Sequence, residues 1–282
     1  MKILISINGK KYSEQAIIFA WQLLRSLKPQ FIILYVLEPI SAVSEQVAKK
    51  YLEKEQEVLA KHGIKVRTKL IKGQRGESII KLIKTNFYDL LVLGARGTAM
   101  ALRNLSEYNI GKLSDQLIQV INNSFLLVKN PKEQLRRVLI CADGSADSIA
   151  AINFWGELNR NKEYSKNVQV DIINVIPEFY SQFKDVLRPL AEEQLKSLDS
   201  LPDVRTKYLF EARSILSKYG IKSQIGLREG NAAGKILEEA MTGYDLIVLG
   251  LRGRKSKRKI SIGRQALEVA RYAKTSVLII KH

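Results

Sequence analysis

Three glycines follow one apolar run in the carboxyl-terminal half of this sequence, at a spacing that could bind a phosphate. The run 245–249 has the composition of a buried strand, and Gly250 and Gly253 come directly after it, whereas Gly263 opens a helix-like segment. Such glycines let backbone N–H groups approach a phosphate closely, and a helix N-terminus favours an anion. They could equally serve only as turns with positive φ. The pattern therefore leaves two interpretations open, a phosphate loop and a plain strand-to-helix connection.

Cations surround these glycines. Arg264 directly follows the third glycine, and the segment 252–259 carries Arg252, Arg254, Lys255, Lys257, Arg258 and Lys259. These side chains could close over the phosphates of a small ligand, or they could contact a nucleic acid or an anionic membrane. The segment contains no aromatic residue on which a base could stack. A solvated loop is therefore favoured over a nucleic-acid contact, which is not excluded.

The amino-acid composition excludes several classes of functional site. The chain has 282 residues, a formal net charge of +18, two histidines and one cysteine, Cys141. A single cysteine excludes an internal disulfide, and its apolar surroundings predict an inert core thiol. The two histidines exclude a histidine-rich metal site, and no Cys/His nucleophile arrangement is present. The basic excess, which is spread over both halves, raises affinity for polyanions without identifying one.

The lengths of the apolar runs indicate where in the cell the protein is expected. No run reaches the roughly 18 residues needed to span a bilayer. Residues 1–7 have the pattern of a strand rather than of a signal peptide. We therefore expect a cytoplasmic protein.

Strands and helices are predicted to alternate along the chain. In the first half, strands are expected at 1–7, 31–37, 64–71, 89–93 and 125–128, and helices at 41–62, 77–87 and 110–121, with a further helix capped by Ser13. Runs that are apolar at successive positions are typical of parallel sheets covered on both faces. The third strand alternates between apolar and polar residues, which predicts an edge position.

The pattern then repeats. Residues 137–144 align with 2–9, residues 245–253 with 89–97, and residues 275–281 with 123–129. We therefore predict an α/β protein of two homologous domains, 1–132 and 133–282, each a doubly wound five-stranded parallel sheet. The second repeat is longer across 177–218, where we expect a helix broken near Pro189 and Pro202.

The doubly wound topology predicts where a ligand would bind. In such sheets the ligand crevice lies at the carboxyl ends of the strands, where the strand order reverses. If the first and fourth strands are neighbours, Asp143 after the first and Gly250 after the fourth border the same crevice.

These features together resemble the universal stress protein family, as a tandem of two such domains. The resemblance rests on Asp143-Gly144-Ser145 with Ser148 on the following helix, and on the fourth-strand motif Asp-Leu-Ile-Val-Leu-Gly-x-Arg-Gly. It also rests on the small residues Ala266, Ala270 and Ala273 before the last strand. The family implies an adenine nucleotide alpha hydrolase-like fold and, in some members, bound ATP or AMP, which Mg²⁺ could accompany.

Nucleotide-binding members carry glycine, two residues, glycine, nine residues, then glycine followed by Ser or Thr. Gly250, Gly253 and Gly263 fit this spacing, and Arg264 occupies the Ser/Thr position. The resemblance implies that Asp143 and the backbone around Val175 hold the adenosine part. It also implies that Gly253, Gly263 and Arg264 line the phosphates, with Arg252 nearby. Arg264 could pair with a phosphate or fill the space that a small hydroxyl leaves open.

The first repeat departs from the family pattern. Asn8 replaces the aspartate, and Val36 corresponds to Val175. Its glycines Gly94 and Gly97 are followed by thirteen residues before Gly111, and Lys112 takes the Ser/Thr position. We therefore interpret the first repeat as a degenerate domain that is kept for pairing and packing.

These observations predict a nucleotide-responsive stress protein that binds ATP or AMP in the second repeat. No residue stands out as a general base, so we expect binding rather than catalysis, and slow hydrolysis stays open. The alternatives are a scaffold that binds no nucleotide and a polyanion-binding protein that uses residues 252–259. We expect the two repeats to pack as an internal pseudo-dimer, and two chains could pair further.

Overall fold

The computed structural model describes residues 1–7, 11–40, 42–94, 110–160, 167–177, 204–254 and 262–282. Its strands are β1 Lys2–Ile7, β2 Gln30–Leu37, β3 Val66–Lys72, β4 Leu90–Gly94, β5 Ser124–Val128, β6 Arg137–Cys141, β7 Gln169–Ile176, β8 Ser223–Glu229, β9 Leu246–Gly250 and β10 Ser276–Ile280. The helices are α1 Lys11–Leu24, α2 Glu45–Lys61, α3 Arg75–Thr85, α4 Lys112–Val120, α5 Ala146–Leu158, α6 Val204–Lys218, α7 Ala232–Ala240 and α8 Arg264–Tyr272.

The strands form one sheet in the order β3-β2-β1-β4-β5-β10-β9-β6-β7-β8. Each half is parallel and carries the same strand order, so the prediction of two doubly wound, five-stranded repeats is confirmed. The halves join through β5 and β10, which pair antiparallel. The sequence predicted that the repeats would pack together, but not that their sheets would be continuous.

The strands are apolar at successive positions, so both faces of the sheet must be buried. Helices cover both faces. One core contains buried side chains of α1, α2, α5 and α6, and the other contains those of α3, α4, α7 and α8. The strand β3 lies at the edge of the sheet and exposes Arg67, Thr68 and Lys69, as the alternating pattern predicted. Charged residues on an edge strand also discourage pairing with other chains.

The β5–β10 junction has approximate two-fold symmetry in its side-chain contacts. The N–H of Lys129 donates to Ser276 Oγ at 3.0 Å, and the N–H of Lys281 donates to Ser124 Oγ at 3.1 Å. The symmetry ends at the lysine side chains. Lys129 is only 3% exposed, and its ammonium donates to carbonyl oxygens at the end of α8. A first-domain cation therefore caps a second-domain helix.

The prediction that Ser13 caps the first helix is wrong, since α1 already begins at Lys11. The repeat explains the error. Ser13 aligns with Ser148, which lies inside α5, whereas Ser145 is the residue that caps that helix. The position equivalent to Ser145 holds Lys10, which cannot cap in the same way. The predicted helix break near Pro189 and Pro202 lies outside the described residues.

Candidate functional site

A cavity of about 360 Å³ lies at the carboxyl ends of β6, β7 and β9. The strands β6 and β9 are neighbours, as the crevice prediction required. The predicted site residues that line the cavity are Asp143, Val175, Gly250, Arg252, Gly253 and Gly263. The lining does not include Gly144 or Arg264, although both adjoin residues that belong to it. The volume falls within the range of small-molecule sites.

Two surface depressions of about 530 Å³ each lie elsewhere, beside Tyr219 and beside Asp245. Charged and amide side chains make up the lining of the depression beside Asp245 and half of the lining of the one beside Tyr219. The cavity at the strand ends combines an apolar floor with a few converging polar groups, which is the usual character of a ligand site.

The carboxylate of Asp143 connects the turn after β6 to the loop after β9. Its Oδ1 accepts hydrogen bonds from the N–H of Ser145 at 3.0 Å and from Ser145 Oγ at 2.6 Å. Its Oδ2 accepts one from the N–H of Arg254 at 3.3 Å. In turn, Ser145 Oγ accepts from the N–H of Ser148 at 3.1 Å and so begins α5. Asp143 therefore fixes the relative position of the two segments that flank the cavity.

Close packing accounts for the glycine at the end of β9. A Cβ on Gly250 would lie 2.6 Å from the backbone carbonyl carbon of Asp147 and from the backbone nitrogen of Ser148. Only glycine allows α5 to approach β9 this closely. None of Gly250, Gly253 and Gly263 has a positive φ, so a left-handed turn is not the reason for the glycine pattern.

Arg252 is held by α5. Its Nε donates to Asp147 Oδ2 at 2.9 Å, and Asp147 is only 4% exposed. The second oxygen of Asp147 accepts from the N–H of His282 at 2.8 Å. The charge of Arg252 is therefore balanced by a buried carboxylate, and this ion pair fastens the loop to the helix.

The helix α8 begins at the cavity. Its N-cap is Gly263, which makes no side-chain cap, and Gln265 and Ala266 line the cavity. The first N–H groups of a helix have no partner within the helix, and the helix dipole adds positive potential there. Arg264 is the first residue of α8, and its side chain is exposed. A contact between Arg264 and a phosphate is still a prediction.

Several lining residues were not identified from the sequence. Polar groups come from Asn174, which is 3% exposed, and from Asn231, whose side chain caps α7. An apolar floor is formed by Ile173, Val175, Ile236, Leu249 and Ala266. Comparison of the aligned second strands of the two repeats would have singled out Asn174, since Tyr35 occupies the equivalent position.

The thiol of Cys141 also borders the cavity. Burial, followed by the charge of Asp143, raises the pKa of this thiol well above its usual range. The thiol therefore stays protonated at neutral pH, which agrees with the predicted inert cysteine.

The model of the universal stress protein family matches residues 1–129 and 134–281. The chain belongs to the universal stress protein family. The resemblance inferred from the sequence motifs is thereby confirmed, and so is the tandem organisation. Comparison with curated proteins found no match.

Solved structures of the family share the tandem fold. A universal stress protein from Archaeoglobus fulgidus is 17% identical, with a TM-score of 0.64 over 100% of this chain and 96% of its own. One from Pseudomonas aeruginosa is 15% identical, with a TM-score of 0.68 over 99% of this chain and 92% of its own. A universal stress protein in complex with cAMP is 22% identical and covers 52% of this chain and 98% of its own, with a TM-score of 0.36.

The first universal stress protein domain has a different crevice. Arg75 begins α3 and pairs with Glu38 at 3.4 Å, at the positions where the second domain has Ala232 and Pro177. Ser114, which is equivalent to Ala266, donates to the carbonyl oxygen of Gly94 at 3.0 Å. Larger and more polar side chains therefore occupy positions that line the second-domain cavity.

The remaining residues predicted for the first domain are only partly described. Val36 is buried at the end of β2, Gly111 is the N-cap of α4, and Lys112 is its exposed first residue. Asn8 and Gly97 lie outside the described residues, as does the segment 255–261 of the second-domain basic loop.

The described part of the chain also allows two negative findings. None of its helices has both the length and the apolarity needed to cross a membrane. Nor does it bring together three or more His, Cys, Asp or Glu side chains as a metal site would require.

Proposed function

We propose that this universal stress protein binds an adenine nucleotide, ATP or AMP, in the second-domain cavity and acts as a nucleotide-responsive regulator. The observation that carries the proposal is the arrangement of the cavity. Its lining combines an apolar floor with the N-terminus of α8 and with Gly253 and Gly263. A planar base suits the first part, and phosphates suit the second.

The described residues support binding rather than catalysis. Asp143 is the carboxylate among the cavity-lining residues, and its two oxygens already accept three hydrogen bonds from Ser145 and Arg254. These hydrogen bonds give the carboxylate a structural role, in which it holds the turn after β6 to the loop after β9. We therefore expect occupancy of the site, rather than turnover, to be the signal.

Titration of the purified protein with fluorescent ATP, with and without Mg²⁺, tests this proposal. We expect saturable binding that Asp143→Ala weakens at least about tenfold, because the loop after β9 loses its anchor. The matched control is Asn8→Ala in the first repeat, which should leave the affinity unchanged. Thermal melting of each variant checks folding. Absence of binding to both ATP and AMP at millimolar concentration, with and without Mg²⁺, would overturn the proposal.

A scaffold that binds no nucleotide is the second candidate. The side chains that occupy the first crevice and the continuous ten-stranded sheet favour it. The same titration separates the two candidates. Binding of nucleic acid or anionic lipid through residues 252–259 is less favoured, since Arg252 is neutralised by Asp147. That two chains pair is still a prediction, and sedimentation of the purified protein would measure its association state.

A further inference from the structure

A tyrosine from α6 is packed between the two segments that border the second-domain cavity. On one side, the Tyr208 ring lies directly against Gly144, where a Cβ would overlap its carbon atoms. The Arg254 guanidinium also lies over the ring, with its carbon 4.4 Å from the ring centroid. Arg254 Nη1 also donates a hydrogen bond to the Tyr208 hydroxyl at 2.7 Å. Three elements of the domain therefore meet at this ring.

These contacts fix Arg254 at both ends. Its backbone N–H is bound to Asp143 Oδ2, and its guanidinium is bound to Tyr208. A long cation on a loop normally loses considerable side-chain entropy when it binds a ligand. Here Tyr208 has already ordered the side chain, so less entropy remains to be lost on binding.

The two described arginines of the loop differ in their electrostatic state. Arg252 is paired with the buried Asp147. Among the described residues no carboxylate pairs with Arg254, and its hydrogen bond to Tyr208 goes to a neutral group through Nη1. Within the described part of the chain its positive charge is therefore not balanced by an ion pair, and no hydrogen bond from Nε or Nη2 is found there, so these donors suit a phosphate.

The position of Arg254 indicates which phosphate it would contact. It lines the cavity together with Gly253 and Gly263, and it is exposed, whereas all of the apolar floor except Val175 is buried. A nucleotide whose base lies on the apolar floor extends its phosphates toward the exposed end. The phosphate nearest the ribose then lies by the α8 N-terminus, and later phosphates lie by Arg254.

We infer that Arg254 makes the site selective for nucleoside di- and triphosphates over monophosphates, and that Tyr208 is its positioning residue. This inference rests on the proposed nucleotide binding. Arg254 contributes two charge-assisted hydrogen bonds to the β- or γ-phosphate, and AMP has no group there to accept them. Tyr208 acts through Arg254 and does not touch the nucleotide.

The first domain offers a matched control. Tyr51 of α2 lies at the position equivalent to Tyr208. Near the end of each helix a leucine carbonyl oxygen, of Leu59 or Leu216, accepts a hydrogen bond from the N–H of the isoleucine five residues later. Each tyrosine precedes its leucine by eight residues. Its ring centroid lies 6.1 Å from that of Tyr35. Tyr35 is equivalent to Asn174, so the second domain has no aromatic side chain at that position, and Tyr208 lies against Gly144.

The test is calorimetric titration of AMP, ADP and ATP, with Mg²⁺ for the last two, into the full chain and its variants. In Arg254→Gln we expect ATP and ADP affinity to fall at least about tenfold and AMP affinity to change less than about twofold. Arg254→Lys should recover part of the loss. Tyr208→Phe should weaken ATP binding about threefold without affecting AMP, and Tyr51→Phe should change neither.

The ratio of AMP to ATP dissociation constants distinguishes positioning from general destabilisation, which would weaken both ligands in proportion. If Arg254→Gln leaves this ratio unchanged while the wild type binds both nucleotides, the inference is wrong and the proposed function stands. If the wild type binds none of the three, both are wrong. Melting curves for every variant confirm that the compared proteins are folded.

Discussion

The two domains place different side chains at the same crevice of the same fold. In the second domain the residues that line the crevice at the first turns of two helices include the small Ala232 and Ala266. In the first domain the equivalent positions hold Arg75, which pairs with Glu38, and Ser114, which is bonded to the strand-end carbonyl. The two repeats thus share the strand order but differ in the side chains at helix N-termini that border the crevice.

This difference shows that the fold alone does not determine which side chains border the crevice of a universal stress protein domain. Each comparison between equivalent positions can therefore be tested by substitution.

The largest effect is expected for Ala232→Arg, which introduces the first-domain residue into the second-domain crevice. The long side chain fills part of the 360 Å³ cavity, so we expect ATP affinity to fall at least about a hundredfold. Met241→Arg, at an exposed position after the same helix, should have no effect. Titration with fluorescent ATP measures both. Unchanged binding in Ala232→Arg would mean that this position does not close the first crevice.

Removal of the buried cation at the domain junction should have the next largest effect. Lys129→Met leaves the carbonyl oxygens of Ala270 and Ala273 without their donor, which should lower the free energy of unfolding by about 2–3 kcal/mol. Lys281→Met, the equivalent change, should cost less than about 0.5 kcal/mol, because Lys281 is not fully buried. Urea unfolding provides the comparison, and equal losses would contradict the asymmetry of the junction.

The strand-end glycines should respond differently to the same substitution. Gly250→Ala forces a Cβ against the backbone of α5, so we expect a loss of about 1–3 kcal/mol in the free energy of unfolding. Gly94→Ala should be neutral or slightly stabilising, since no described atom lies within 4 Å of its Cβ position. Thermal unfolding of the two variants measures the difference. Similar melting temperatures would show that α5 can shift without loss.

The smallest effect concerns the tyrosines before the fourth strand of each repeat. Tyr244 donates to Asp171 Oδ2 at 2.7 Å, so Tyr244→Phe should cost about 1 kcal/mol of unfolding free energy at pH 7. Tyr88→Phe should cost less, because no hydrogen bond from the Tyr88 hydroxyl is found among the described residues. Chemical unfolding at several pH values measures both changes.

The pH dependence of the same pair follows from the pKa shifts. Burial, followed by the hydrogen bond to Asp171, raises the pKa of Tyr244, and burial raises that of Tyr88. Each tyrosine therefore contributes stability that is fully present below about pH 10 and is lost as pH rises through the raised pKa. The deficit of Tyr244→Phe should shrink above pH 10. A deficit that grows there would mean that the shift has the opposite sign.

Much of the architecture was predictable, because it depends on local patterns. Successive apolar positions predicted parallel strands covered on both faces, and the repeated blocks predicted two like domains. Placing Asp143 and Gly250 at one crevice required only the topology rule for doubly wound sheets. Each of these inferences uses neighbouring residues or a general property of the fold.

The contacts that complete the site were not predictable in the same way. Arg252 pairs with Asp147 and Tyr208 contacts Arg254, and both pairs join segments that are far apart in the chain. No spacing rule connects such residues, since their meeting depends on how α5 and α6 pack against the sheet. The capping error at Ser13 was local, and the aligned second repeat, where Ser145 is the cap, could have prevented it.

The antiparallel pairing of β5 with β10 also affects how the chain assembles during synthesis. The five strands of the first domain leave the ribosome early, but β10, the outer neighbour of β5, follows a whole domain later. Until then the apolar strand Ser124–Val128 presents an unpaired backbone edge, the kind that joins to other chains. The finished sheet instead ends at β3 and β8, which carry charged residues. The half-made protein is therefore the stage most exposed to aggregation.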